Sequence, residues 1–122
     1  MKIIPKVWGW EVVFVSNELY SCKLMVIKGG YQCSIHYHKL KTETFVLLTG
    51  EVVLEKFPSY QEELYPFSSN KMEQFITHNI PSSMKHRFQG RSKYSVVLEV
   101  ATQDLPGDSY RETKSGKIDT TK

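Results

Sequence analysis

Residues Gly30–Gly50 read Gly-Tyr-Gln-Cys-Ser-Ile-His-Tyr-His-Lys-Leu-Lys-Thr-Glu-Thr-Phe-Val-Leu-Leu-Thr-Gly. His36 and His38 stand two apart, so on a strand both side chains point to the same face. Strand rise puts their Cα atoms about 6.6 Å apart, a gap that two imidazoles can close on one metal ion. Glu43 follows after Lys39-Leu40-Lys41-Thr42, enough chain for a bend that returns a carboxylate to the same point. Histidine and carboxylate ligands in this pattern suit a borderline or hard divalent metal. Gly30 and Gly50 bracket the unit, where a backbone without Cβ can turn.

Outward from this stretch, short apolar runs alternate with turn residues. Val12–Ser16 and Tyr20–Lys28 read as strands, the second ended by Gly29-Gly30, and Cys33–His38 as the strand that carries the histidines. Phe45–Leu48, Thr49-Gly50 and Glu51–Glu55 have the pattern of a β-hairpin. Phe57–Asn70, with Pro58 and Pro66, reads as an irregular excursion or a short hairpin with a long loop. Glu73–His78 is a predicted strand, Asn79–Ser83 a turn, and Met84–Phe88 and Lys93–Thr102 two further strands. No segment has a sustained helical period. The expectation is an all-β, antiparallel sandwich or barrel. Residues 1–115 form its single domain, and 116–122 a flexible C-terminal tail by composition.

A second cluster lies at Pro81-Ser82-Ser83-Met84-Lys85-His86. Pro81 fixes a turn, and His86 falls on the following strand. If that strand lies beside the His36–His38 strand, His86 supplies a third imidazole. Three histidines and Glu43 leave about two open positions on an octahedral ion, and open positions distinguish a reactive metal from a structural one. His78 is the fallback ligand, without the proline spacing.

Composition limits the rest. With 122 residues the chain is one domain. Sixteen Lys and Arg against 13 Asp and Glu give a net charge of +3, scattered and too small for the phosphate attraction of a nucleic-acid binder. Cys22 and Cys33 form no disulfide framework and no Cys-x-x-Cys pair, which fits a reducing compartment. No apolar run approaches membrane-spanning length, and none follows Met1–Lys6 as a secretory signal would require. A cytoplasmic protein with no membrane or nucleic-acid partner is expected.

Gly30-x5-His36-x-His38-x4-Glu43-x6-Gly50 resembles the first motif of the cupin superfamily at every defined position. Pro81-x4-His86 resembles the second, Gly-x5-Pro-x-Gly-x2-His-x3-Asn, with Phe75, Ser83 and Gly90 standing where Gly, Gly and Asn are usual. The resemblance implies a cupin-type antiparallel β-barrel, or double-stranded jelly roll. It also implies one divalent metal ion (Mn, Fe, Zn or Ni) on His36, His38, Glu43 and His86, and frequently a homodimer. Trp8-Gly9-Trp10-Glu11 and Asp108-Ser109-Tyr110-Arg111 resemble the ends of the C-terminal cupin module of bacterial mannose-6-phosphate isomerases. Here Val7 replaces the usual Pro, and His36 stands where Gln is often found.

Three chemistries fit these residues. A sugar or sugar-phosphate isomerase needs a metal to hold two substrate oxygens, and a base to move a proton between carbons. Glu99, Lys23 and Glu11 are the candidate acid–base residues, unranked by sequence, and each would otherwise be a surface charge. Arg111 and Trp10 are the candidate substrate-binding residues. Arg111 suits a phosphate or carboxylate, whereas Trp8 and Trp10 are most simply core or interface aromatics. The same ligands also suit an Fe(II)-dependent oxygenase, or a non-catalytic cupin that binds a carbohydrate. The tryptophan and arginine segments favour carbohydrate.

Overall fold

The structure, a computed structural model, describes residues 1–58, 66 and 68–119. Its first sheet is built from β1 (Lys2–Lys6), β2 (Gly9–Ser16), β3 (Tyr20–Lys28), β6 (Glu43–Thr49), β9 (Thr77–Ile80) and β11 (Tyr94–Thr102), in the order β1-β2-β3-β11-β6-β9. Its second holds β4 (Tyr31–Gln32), β5 (His36–Tyr37), β7 (Val52–Phe57), β8 (Ser68–Lys71), β10 (Lys85–Gly90), β12 (Tyr110–Arg111) and β13 (Gly116–Lys117). β10 is its centre, with β7 on one flank and the short strands β5 and β4 on the other. The named strands pair antiparallel throughout, and the two sheets form an all-β jelly-roll sandwich.

The space between the sheets is apolar in part. Trp8, Met25, Ile27, Phe45, Leu47, Val52, Leu54, Phe88 and Val97 form one buried cluster, with Trp8 edge-on to Phe88 at 4.9 Å between ring centroids. The histidines adjoin this cluster, the His86 ring 5.8 Å from that of Phe45.

Several boundaries differ from the sequence expectation. Phe45–Glu55 is not a hairpin: β6 pairs β11 and β9 in the first sheet, while β7 pairs β10 and β8 in the second. Gly50, at φ +96°, carries the chain around that corner. A Cβ there would come within 2.7 Å of the Ser95 Cα, so a turn and a close approach both require glycine. The histidine strand is broken. Ser34 N–H donates to Ser115 Oγ and Ile35 N–H to Thr113 Oγ1, so these amides leave the ladder and Cys33–Ile35 bulges between β4 and β5. The predicted strand Glu73–His78 is displaced to Thr77–Ile80, taking in two residues expected in the turn. In the 57–70 segment, β8 returns to pair with β7; residues 59–65 and 67 lie outside the described residues.

Part of the segment expected as a tail makes backbone contacts. Gly116 and Lys117 pair with Gln32 and Tyr31, and Ile118 N–H donates to the Gly30 carbonyl. Polar composition says little about an edge strand whose backbone makes the bonds. Residues 120–122 lie outside the described residues.

The two departures in the second motif have a backbone signature. Phe75 and Ser83, standing where glycine is usual, are the non-glycine residues with positive φ among the described residues, at 66° and 69°. The left-handed conformation is retained although the residue that adopts it freely is absent. Ser83 is exposed and its N–H holds the His38 carbonyl at 2.6 Å. Ser83→Gly is expected to stabilise the fold by about 1 kcal/mol through relief of that strain, read as a raised midpoint in denaturant unfolding.

Candidate metal centre and cavity

The centre is assembled from three separate segments. His86 on β10 is the register partner of His36 on β5, so the two rings face inward side by side, with centroids 4.4 Å apart. His38 lies just beyond β5, its ring 5.2 Å from that of His36. Nitrogens of His36, His38 and His86 all lie within 4.8 Å of one another. Glu43 opens β6 and brings its Oε1 to 3.0 Å from His38 Nε2 and 3.5 Å from His86 Nε2.

Hydrogen bonding fixes which ring nitrogen faces the centre. The Nδ1 atoms of His36, His38 and His86 meet the carbonyls of Ser34, Asp108 and Met84 at 2.7, 2.9 and 2.9 Å. A carbonyl can only accept, so each Nδ1 carries the proton and each Nε2 presents a lone pair. Backbone support of this kind is what orients metal-ligating imidazoles. Glu43 Oε1 and His86 Nε2 are fully buried without a hydrogen-bond partner, a costly arrangement for a permanently empty site. Donor set and orphaned atoms therefore fit a divalent ion. His78 sits opposite Phe45 on β9 and does not join the group.

Asp108 was not singled out as a site residue by sequence. It is buried, and its carboxylate accepts the backbone N–H groups of Lys39, Leu40 and Lys41 at 3.0–3.3 Å. With its own carbonyl on His38 Nδ1, it clamps the bend between His38 and Glu43. The Asp-x-x-Arg segment was the available signal, read there as belonging to the substrate.

The centre opens on a cavity of about 810 Å³. Glu11, Lys23 and Glu99 all line it. A ladder of charges crosses its wall: Lys6–Glu11 at 3.8 Å, Glu11–Lys23 at 3.0 Å, Lys23–Glu99 at 3.6 Å, Glu99–Lys41 at 3.8 Å and Lys41–Asp104 at 3.2 Å. Arg111 also lines the cavity, opposite His36 in register, with its guanidinium donating to Ser34 Oγ at 2.7 Å. Trp10 does not reach it. Glu11 faces the cavity, and the preceding strand residue must face the other way; Trp10 accordingly lies on the outside beside Tyr94, 37% exposed.

Burial and neighbouring charge set the protonation states. Burial first, and then the neighbouring His86, hold His36 well below the ordinary imidazole range; burial also lowers His86. Glu99 is a buried carboxyl that also feels the charge of the neighbouring Glu43. Burial, followed by the Glu43 charge, pushes Glu99 up to about 8. Burial also opposes the charge on Glu43, but the His38 and His86 rings beside it outweigh this and lower its pKa. For Lys23 burial favours the neutral amine, yet Glu99 and Glu11 override it and raise the pKa.

These shifts predict a peaked stability profile for the metal-free protein. Below an ordinary histidine value of 6.5 the unfolded chain takes up protons that folded His36 and His86 refuse, so stability falls with falling pH. Glu43 adds to this acid arm, because its folded pKa is depressed below 4.5. Glu99 has the opposite sign. Between 4.5 and about 8 the unfolded chain has released a proton that the folded chain retains, so stability falls as pH rises. Thermal melting across this range should peak near neutrality, and Glu99→Gln should abolish the alkaline decline while leaving the acid arm.

No protein-family model and no curated protein matches the chain in sequence. Solved structures match in shape. A domain of oxalate decarboxylase from Bacillus subtilis superposes with a TM-score of 0.75 at 16% identity, covering 91% of this chain and 30% of that one. The capsular polysaccharide assembling protein CapF from Staphylococcus aureus matches with a TM-score of 0.73 at 14% identity, covering 90% and 33%. KdgF from Halomonas matches with a TM-score of 0.72 at 8% identity, covering 86% and 90%. The chain thus spans about a third of the oxalate decarboxylase and CapF chains, and nearly all of KdgF. Two facing antiparallel sheets, a histidine triad between them and these superpositions together establish that the chain has the cupin fold.

Proposed function

We propose that the protein is a metal-dependent isomerase of a sugar or sugar phosphate. The observation that carries this reading is a histidine triad with Glu43, opening directly onto a cavity walled by groups able to hold and move protons. A bound divalent ion would hold and polarise the two oxygens of an aldose or ketose at C1 and C2, and so acidify the proton to be moved.

The chain's own groups divide the remaining work. Lys23, with its pKa raised, stays an ammonium ion and cannot be the base. Glu99 keeps its proton near neutrality beside the charge of Glu43, so it serves as a proton reservoir behind the centre. Glu11 remains. Its carboxylate lines the cavity and is oriented by Lys23 at 3.0 Å, which makes it the base that carries the proton between C1 and C2. No carboxylate pairs with Arg111 among the described residues, which leaves guanidinium donors for a substrate phosphate. CapF, a third of which this chain spans, is a capsular polysaccharide assembling protein, which supports a carbohydrate substrate.

The test is incubation of Mn(II)-, Fe(II)- or Zn(II)-loaded protein with a panel of aldoses and their phosphates, with ketose followed by NMR. Ketose should form, disappear in His38→Ala, and form about 10²–10⁴-fold more slowly in Glu11→Gln, with metal content unchanged in the latter. Full metal loading without ketose from any sugar would contradict isomerisation. Tight sugar binding in that case would identify a binding protein.

A further inference from the structure

A second cavity, of about 390 Å³, lies where β3 leaves the first sheet for β4 of the second. Three lysines from distant parts of the chain line it. Lys28 ends β3, Lys93 precedes β11 and Lys117 lies on β13. Strand pairing gathers them, with Lys28 opposite Tyr94 and Lys117 opposite Tyr31. Both tyrosines also line the cavity, and no carboxylate does among the described residues. Strand parity separates this place from the metal centre. Lys23 faces the first cavity, so Lys28 points to the other side of the sheet, about 16 Å farther along the strand.

Backbone bonds build the floor. Gly29 N–H donates to the Lys93 carbonyl, Gly30 N–H to the Gly90 carbonyl, and Ile118 N–H to the Gly30 carbonyl. A Cβ at Gly29 would run into the Ser92 carbonyl, so the junction closes on glycine there. The ends of β3, β10 and β13 are thereby tied together before any ligand arrives.

Three ammonium groups gathered in one cavity repel one another. No ion pair joins any of them to a carboxylate among the described residues. Lys28 instead lies over the Tyr31 ring, its Nζ 4.3 Å from the centroid. The Tyr94 ring is 49% exposed and continues to that of Trp10, 6.3 Å away between centroids. Clustered positive charge thus adjoins an open aromatic surface.

We propose that this cavity binds a nucleotide, its di- or triphosphate on Lys28, Lys93 and Lys117 and its base against Tyr94. Lysine meets phosphate oxygens as a point charge, and a polyphosphate answers all three ammonium groups where a single carboxylate would not. Aromatic rings stack on any base, so the site selects a class of ligand. Its volume lies near the lower end of small-molecule sites, about 300–1,000 Å³, which suits one nucleotide. A nucleic acid strand would need a basic groove that tracks its backbone. The proposal rests on neither the metal nor the isomerase reading.

Calorimetric titration of the metal-free protein at physiological salt, with chelator present, tests it. ADP should bind, with adenosine and inorganic phosphate each weaker by at least about tenfold. Lys93→Ala with Lys117→Ala removes two exposed amines and should weaken ADP by at least about tenfold, with circular dichroism unchanged. Tyr94→Ala should weaken ADP and leave pyrophosphate binding as it was. Lys71→Ala, an exposed lysine on β8, should bind ADP as the parent chain does. Should the double variant fail to fold, Lys93→Gln alone should still weaken ADP. Absence of ADP binding at millimolar concentration overturns the proposal, and so does ADP affinity indifferent to the lysine variants. A single-stranded oligonucleotide that binds more tightly than ADP also overturns it, in favour of nucleic acid.

Discussion

His86→Ala is expected to abolish tight metal binding, weakening it by more than about 100-fold, because loss of a ligand must exceed the 10–100-fold cost of losing a supporting residue. His86 is fully buried, stands in register with His36, and directs its Nε2 lone pair at the centre through its bond to the Met84 carbonyl. Its ring also packs 5.8 Å from that of Phe45, so the alanine leaves a cavity as well as an incomplete ligand set. Titration with a competing chelator separates the two effects, since a merely loosened core would lower the melting temperature without removing stoichiometric metal. His36→Ala and Glu43→Ala should resemble His86→Ala in this assay. His78→Ala should leave affinity unchanged.

Asp108→Ala is expected to have the largest effect on folding. It leaves the amides of Lys39, Leu40 and Lys41 without their carboxylate. Hydrogen bonds to a charged group contribute about 1.5–3 kcal/mol each, and partial recovery by water reduces the sum to about 3–5 kcal/mol. The bend carries His38 into the centre, so metal affinity should fall about 10–100-fold as well. Asp108→Asn retains an acceptor and should recover part of both losses. Chemical denaturation of the metal-free chain measures the first effect and metal titration the second. Wild-type stability in Asp108→Ala would show that the clamp is dispensable.

What the sequence revealed follows from what leaves a local mark. A period of two along Gly30–Gly50 aims His36 and His38 together, and the cupin fold follows from that stretch with its partner histidine. Parity along a strand was equally available and is what separates Glu11 from Trp10. Adjacent residues face opposite sides, so the two could never share one cavity. The 45–55 segment shows the limit of local reading: strand, turn glycine and strand look the same whether the second strand folds back or crosses to the opposite sheet. The difference lies in the distant pairings of β6 with β11 and β7 with β10. Asp108 was hidden for a related reason. Capture of three backbone amides some 70 positions earlier leaves no periodicity, and the Asp-x-x-Arg segment marks the residue without showing what it holds. Phe75 and Ser83 departed from the motif in side chain while keeping its positive φ.

X-ray absorption spectroscopy of the metal-loaded protein tests the central claim most directly. If His36, His38, Glu43 and His86 hold the ion, the spectrum should show multiple scattering from three imidazoles and one carboxylate oxygen, with zinc distances of about 2.0–2.2 Å. His86→Ala should lower the imidazole count or leave no bound metal to measure. A bound ion with no imidazole scattering, or an unchanged spectrum in the variant, would contradict a metal centre built on these residues.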